Sequence, residues 1–400
     1  MIRKLIATGL AVATAGLVAS VAGAAGGGPG SQWFFRGACP TIDFVAAHCH
    51  AEVVTDAQGV PLASSGPTGY GPAQFHTAYN LPTSSQAATL QTIAIVDAYD
   101  APTIRADLTA YDQAEGIPDL PTCTSPTQQA ACFVKVNQGG STSSLPRSDP
   151  GWALEISLDV EVAHAICQNC KIVLVEASNA SFGNLGAAEN QAAKLGANAI
   201  SNSYGASESF LVRFYDSYYN HPGVAVVASS GDSGYGVGYP ASSQYAVGVG
   251  GTSLHTNADG TRASESVWSG AGSGCSAYEP KPSWQNSAAT KCSRKAVADV
   301  AADADPNTGA AVYDSTPYNG ASGWFQVGGT SLASPLIAGT YALAGVYSPY
   351  PASLLWASPG SLFDVTTGSN GSCSTAVWCT AGPGWDGPSG LGTPNGTGGF

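Results

Sequence analysis

Charge is scarce in this 400-residue chain: Asp, Glu, Lys and Arg make up only 10% of it, against roughly 25% in ordinary domains. Fourteen Lys and Arg stand against 27 Asp and Glu, a net charge of −13. Cations this few and scattered exclude a nucleic-acid surface, which needs a clustered basic patch. Beyond the N-terminal twenty-odd residues, no segment reads as membrane-spanning. The chain has no internal repeat, and no second CxxC to complete the zinc site that Cys167-Gln-Asn-Cys170 could begin; a redox motif is the other alternative to a disulfide there. Its six histidines (His48, His50, His76, His164, His221 and His255) stand in no recognisable catalytic motif. The sparse, acidic charge suits work at low pH, where little positive self-repulsion builds up.

What is present begins with an export signal. Arg3 and Lys4 precede an apolar run from Leu5 to Val21, and Ala22-Gly23-Ala24 supplies small residues for cleavage. A membrane anchor is the alternative, disfavoured by the Ala/Gly-rich run. Export places the chain outside the cell, where disulfides persist. Ten cysteines fit that compartment and fall into five sequence-local pairs: Cys39/Cys49, Cys123/Cys132, Cys167/Cys170, Cys275/Cys292 and Cys373/Cys379. Proximity is the only basis for this pairing, since sequence does not fix connectivity.

Residues 1–24 are thus a signal peptide, 25–69 a short Gly-rich extension or prosegment, and 70–400 one domain long enough for a single large core. From Thr92 short apolar strands (Thr92–Asp97, Lys171–Val175, Ala197–Ser203, Val224–Ser229, Ala246–Gly250) alternate with helical stretches near Pro102–Ala114, Trp152–Ile166, Asn184–Leu195 and Ser209–Asn220. This alternation predicts an α/β fold, a parallel sheet with helices on both faces. Residues 137–150 and the last forty read as loops.

Three motifs carry chemistry. Gly328-Gly-Thr-Ser331-Leu-Ala-Ser-Pro335 sets a serine where a glycine turn opens a helix running to about Tyr347. Unpaired amides and the positive dipole end at such a start can stabilise an oxyanion, and Pro335 suits a first helical turn. Plain helix capping by Thr330 or Ser331 is the alternative. In Glu155-Ile-Ser-Leu-Asp159 the two acids lie within about 40° of each other on a helix. They form a solvated face or, if the apolar residues around them bury it, a proton-sharing pair. His164 falls on roughly the opposite side from Glu155 and reads as an ordinary core or surface histidine. In Val226-Val-Ala-Ser-Ser-Gly-Asp232-Ser-Gly234 a strand runs into a glycine turn with one acid. Asp232 stands beyond the carboxyl end of that strand, where α/β sheets bind ligands, unless it only closes an Asx-turn.

Taken in order with Ile93-Ala-Ile-Val-Asp97 and the tail, these motifs make residues 70–400 resemble the sedolisins, serine-carboxyl peptidases related in fold to the subtilisins. The resemblance implies a subtilisin-like sheet and acid-acting endopeptidase activity. It assigns Ser331 as nucleophile, Glu155 as general base and then acid, Asp159 as the group orienting Glu155, and Asp232 as a protonated oxyanion donor. It also implies one structural Ca²⁺ in a C-terminal loop, held by the side chains of Asp364 and Asp386 and the carbonyls of Val365, Gly382 and Gly384. Hard oxygen donors suit that ion; without the resemblance the tail is a glycine-rich loop. A subtilisin-type histidine triad on Asp97 has no histidine to complete it.

The expected protein is a secreted monomer acting on proteins or peptides, with no nucleic-acid partner and no membrane association once the signal is removed. Three features depart from the family: the extension spans only residues 25–69, Tyr204 stands where tryptophan is expected, and Asp97 where some relatives carry Glu. The short extension keeps open a catalytically silent binding protein on the same calcium-stabilised scaffold. A different hydrolase, such as an esterase, would favour a Gly-x-Ser-x-Gly elbow and a usable histidine.

Overall fold

Apolar runs buried on both faces build a parallel sheet, and that is the centre of this molecule. The computed structural model describes residues 34–40 and 46–400; the expected signal peptide and residues 25–33 and 41–45 of the extension lie outside them. The main sheet has eight strands. Seven run in the order Arg262–Val267, Val247–Thr256, Ala225–Ser229, Ala199–Asn202, Thr92–Ala98, Lys171–Ala177, Phe133–Asn137, and Val300–Asp303 also pairs with Val247–Thr256. Every pairing is parallel except that of the edge strand Arg262–Val267. All seven residues of Thr92–Ala98 are buried, as a central parallel strand requires.

Two helices under this sheet matter most. Pro150–Ile166 starts where Asp149 accepts hydrogen bonds from the amides of Gly151 and Trp152, with Pro150 fixing the first turn. It is apolar almost all round and wholly buried past Pro150, the mark of a central helix. Thr330–Ala344 packs against it and ends where Gly345 turns left-handed (φ 61°). Phe182–Lys194 packs on Thr92–Ala98 and Lys171–Ala177.

The expected elements are present with shifted ends, and some readings need correction. Ser209–Asn220 is not one α-helix but two 3₁₀ turns, Phe210–Phe214 and Asp216–Tyr219; its aromatic and β-branched residues disfavour a helix. The helix after Gly329 stops at Ala344, short of Tyr347, and Pro335 is its sixth residue, past the first turn. Pro335 has no N–H for the Ser331 carbonyl one turn earlier, and the Ser203 hydroxyl approaches that carbonyl at 3.4 Å. Phe133–Asn137 is an additional edge strand. A second, antiparallel sheet joins Phe34–Gly37, Glu52–Thr55, Ala321–Gly328 and Ala310–Tyr318, so part of the N-terminal extension is woven into the body.

All five sequence-local cysteine pairs form disulfides, with no cysteine left free. Among the described residues no helix is long and apolar enough to cross a membrane.

Candidate active site

The two helices converge on one cleft. Gly329 opens Thr330–Ala344 with φ 89° and ψ 164°, a conformation open essentially to glycine alone. The first-turn amides, Ser331 among them, have no partner within the helix. Its start is capped from a distant loop instead of by its own side chains. Asp232, just beyond the end of the strand Ala225–Ser229, accepts at Oδ1 from the Thr330 amide (2.8 Å) and hydroxyl (2.7 Å). The Thr330 hydroxyl in turn accepts from the Gly231 amide at 3.0 Å. The Asp232 carboxyl is therefore tied to the Ser331 helix and closes no turn of its own loop.

Glu155 and Asp159 both face this cleft from Pro150–Ile166 and are fully buried, so the solvated-face alternative does not hold. Glu155 Oε2 accepts from the Ala51 amide at 2.9 Å. Asp159 Oδ1 accepts from the Ser203 hydroxyl at 2.8 Å, and the Ser331 hydroxyl donates to the Ser203 carbonyl at 3.2 Å. Ser203 thus links the serine to the acidic pair. Asp97 lies behind them, fully buried, with neither carboxylate oxygen hydrogen-bonded.

Burial without a counter-charge governs how these acids titrate. It pushes Glu155 well above the usual carboxylate range, reinforced by Asp159 and opposed by the hydrogen bond from the Ala51 amide. Asp159 rises for the same reason, with Asp97 adding repulsion and Ser203 and Glu155 hydrogen bonds opposing it. Asp232 rises through burial and the neighbouring Glu52, against the two Thr330 bonds. Asp232 Oδ2 is shielded from solvent and has no hydrogen-bond partner. A serine beside a buried acid pair, facing a carboxyl that tends to stay protonated, can pass a proton to a carboxylate while a neutral acid meets a developing oxyanion.

The structure brings Ser331, Glu155, Asp159 and Asp232 together. His164 is elsewhere: its Nε2 lies 2.9 Å from the Pro118 carbonyl and 3.4 Å from Asp112, and burial pulls its pKa down to about 4. Sequence reasoning missed Ser203, Thr330 as a link to Asp232, and the segment around His50, which enters the cleft. Ser203 sits in the Ser201–Gly205 stretch, but nothing local marks it as a bridge between Asp159 and Ser331.

The C-terminal loop gathers the other expected ligands. Asp386 is fully buried and repelled by Asp364. The Gly384 amide donates to Asp364 Oδ2 at 2.9 Å and the Gly382 amide to Asp386 Oδ2 at 3.2 Å. Two mutually repelling acids are a donor set that a hard divalent ion fits. Among the described residues no group of three or more His, Cys, Asp or Glu side chains is placed to hold a metal ion, so an ion here would depend on backbone carbonyls such as those of Val365, Gly382 and Gly384.

Known proteins share this arrangement of elements. The subtilase family profile matches residues 149–360. Sedolisin from Pseudomonas sp. (strain 101) is 28% identical over 388 residues, covering 87% of this chain and 63% of the relative. Kumamolisin from Bacillus sp. (strain MN-32) is 31% identical over 372 residues, covering 83% and 63%. The chain thus spans a little under two thirds of either relative's length. Among solved structures, Pseudomonas sedolisin, a serine-carboxyl proteinase complexed with two molecules of pseudo-iodotyrostatin, superposes with a TM-score of 0.69 at 27% identity, covering 82% of this chain and 96% of that one. The chain has a subtilisin-like α/β fold, belongs to the subtilase family and is a homologue of sedolisin and kumamolisin.

Proposed function

We propose that the protein is a secreted serine-carboxyl endopeptidase that works in acid. The observation that carries this reading is the meeting of Ser331, Glu155 and Asp159 beneath Asp232, whose buried Oδ2 lacks a partner. Ser331 Oγ attacks the scissile carbonyl as Glu155 accepts its proton. Asp159, held by Ser203, orients Glu155. The oxyanion is met by a proton on Asp232 and by the Ser331 amide. Glu155 then protonates the leaving amine, and water hydrolyses the ester by the same steps in reverse.

The kinship to sedolisin and kumamolisin supports protein or peptide substrates, and the five disulfides support export. Asp364 and Asp386, with the carbonyls of Val365, Gly382 and Gly384, would hold one Ca²⁺; the ion would neutralise the two acids and stiffen the loop. Residues 70–400 carry the peptidase domain, and the extension before it contributes the strands Phe34–Gly37 and Glu52–Thr55 to one of its sheets. Digestion of acid-denatured globin by wild type and Ser331→Ala tests the proposal. Hydrolysis by wild type alone is expected; equal hydrolysis by both, or by neither, ends it.

A further inference from the structure

One edge of the main sheet carries an unpaired rung. Phe133–Asn137 is the last strand and pairs only with Lys171–Ala177. Along a strand, successive amides and carbonyls alternate between its two sides. The Cys132 carbonyl faces inward and accepts from the Ile172 amide at 3.0 Å, so Phe133, Lys135 and Asn137 face outward. Phe133 is satisfied there: its amide donates to the Pro121 carbonyl at 2.9 Å, and its carbonyl accepts from the Cys123 amide at 2.8 Å. Asn137 is satisfied by its own turn, donating to the Ser141 carbonyl at 2.9 Å and accepting from the Gly140 amide at 2.8 Å. Between them, the Lys135 amide and carbonyl have no hydrogen-bond partner among the described residues.

A cavity of about 460 Å³ opens beside this rung. Pro102, Ile104, Phe133 and Leu145 give it apolar surface, and Arg105 and Lys135 are its charged residues. No Asp or Glu lines it, in a chain of net charge −13. Each cation already faces acids outside the cavity: Arg105 meets Asp119 at 3.0 Å, and Lys135 meets Asp100 and, at 3.5 Å, Glu176. The wall formed by the preceding loop is fixed in advance. Cys123 is disulfide-bonded to Cys132, and the Lys171 ammonium donates to the Pro126 carbonyl. The occupant that fits is an extended peptide. One residue of an antiparallel segment exchanges both backbone hydrogen bonds with Lys135, which is how strands add to a sheet edge. Its neighbouring apolar side chain enters the cavity, and acidic groups meet no carboxylate there. Lys135 lies opposite Leu174, and Leu174 opposite Ile95, two residues before Asp97. From the usual strand spacing and rise, the rung stands roughly 12 Å from Asp97. An extended chain spans that distance in about four residues.

We propose that the Lys135 rung and its cavity form a second peptide-binding site, which holds an extended, apolar stretch of an unfolded substrate chain while another stretch of that chain occupies the cleft. The site itself is carried by the unpaired rung and the cavity; only the source of the peptide rests on the serine-carboxyl reading. A peptide short enough to fill only the cleft does not reach the rung. The second site therefore favours long, unfolded chains over short ones by lowering KM, with no part in the bond-breaking step.

Two measurements test this. In full-length Ser331→Ala, which cannot consume a probe, isotope-labelled lysine isolates the backbone amide of Lys135 by NMR, assigned through its loss in Lys135→Met. Millimolar acetyl-Ala-Leu-Ala-methylamide should shift that resonance saturably; a resonance that does not move overturns the inference. The second measurement compares acid-denatured globin with a peptide that fills only the cleft. Lys135→Pro removes the unpaired amide at an outward-facing edge position, where proline is tolerated. Lys135→Met removes the ammonium and keeps the amide, and Leu145→Arg puts a long charged side chain into the cavity. Lys135→Pro and Leu145→Arg should raise KM for globin several-fold at unchanged kcat, as lost uniform binding does. Both should keep the wild-type kcat/KM for the short peptide, and Lys135→Met should keep the wild-type KM for globin. A wild-type globin KM in both Lys135→Pro and Leu145→Arg overturns the inference. Equal losses on the two substrates place the damage in the cleft and overturn it as well, and a loss in Lys135→Met as large as in Lys135→Pro overturns the role of the backbone rung. If wild type hydrolyses neither substrate, the peptidase reading falls, and the Lys135 resonance still decides the site.

Discussion

At the scale of single residues, the chemistry depends on few atoms. Ser331→Ala removes the attacking oxygen and one hydrogen bond to the Ser203 carbonyl. Activity should fall by about 10⁴-fold, while stability changes by about 1 kcal/mol; kinetics and a melting curve on the same preparation separate the two. Glu155→Gln should be nearly as damaging, because an amide cannot take the proton. Asp159→Asn should cost less, since it retains an oxygen for the Ser203 hydroxyl. Gly329→Ala probes the cleft differently. Its Cβ would overlap the site of the His50 carbonyl, and its φ of 89° is hostile to alanine. Activity should be lost in this variant even with Ser331, Glu155 and Asp232 intact; wild-type kcat/KM would show that the carbonyl sits elsewhere.

At the scale of elements, legibility followed locality. Ser331, Glu155 and Asp159 could be read because each lies in a short motif on a single helix, and the apolar runs such as Thr92–Ala98 announce buried parallel strands by themselves. Phe34–Gly37 and Glu52–Thr55 could not, because their sheet is completed by strands more than 250 residues away, at Ala310–Tyr318 and Ala321–Gly328. The passage of His50 through the cleft is hidden for the same reason: its partners are Ser203, Ser229 and Gly329. The acid-bearing helix offers an element-level test. Asp149 caps it through two amides, so Asp149→Ala should cost about 1 kcal/mol and lower kcat more than it raises KM by loosening Glu155. The C-terminal loop offers another. Chelator should lower the melting temperature, Ca²⁺ should restore it and Mg²⁺ should restore it little, because Mg²⁺ dehydrates reluctantly; identical curves with and without chelator would remove the ion from the account.

At the scale of the whole molecule, the buried acids set how stability depends on pH. Besides the cleft, burial raises Asp112 to about 8, Glu189 to about 8, Glu176 to about 9 and Asp314 to about 7. Each folded value lies above the unfolded value near 4, so the native state binds more protons. Their contribution is fully present below about pH 4 and is lost as pH rises through those folded values, at up to about 1.4 kcal/mol per proton per unit. The melting temperature should be highest in acid and fall steadily from pH 4 to pH 8. A melting temperature that rises over this range would contradict the assignment of these acids as protonated in the native state. This dependence and acid-directed chemistry have one origin: carboxyls buried where few cations offset their charge, in a chain with only 14 Lys and Arg.

The most direct measurement of the central claim is kcat/KM against pH for wild type and Asp232→Asn. Glu155 must be ionised to accept the Ser331 proton, whereas Asp232 must be protonated to meet the oxyanion. Wild type should trace a bell with its maximum in acid, rising as the base ionises and falling as Asp232 loses its proton. Asp232→Asn, a neutral donor at every pH, should lose the falling alkaline limb at a lower overall rate. A wild-type rate still climbing at pH 7, or an alkaline limb unchanged in Asp232→Asn, would contradict the roles given to Glu155 and Asp232.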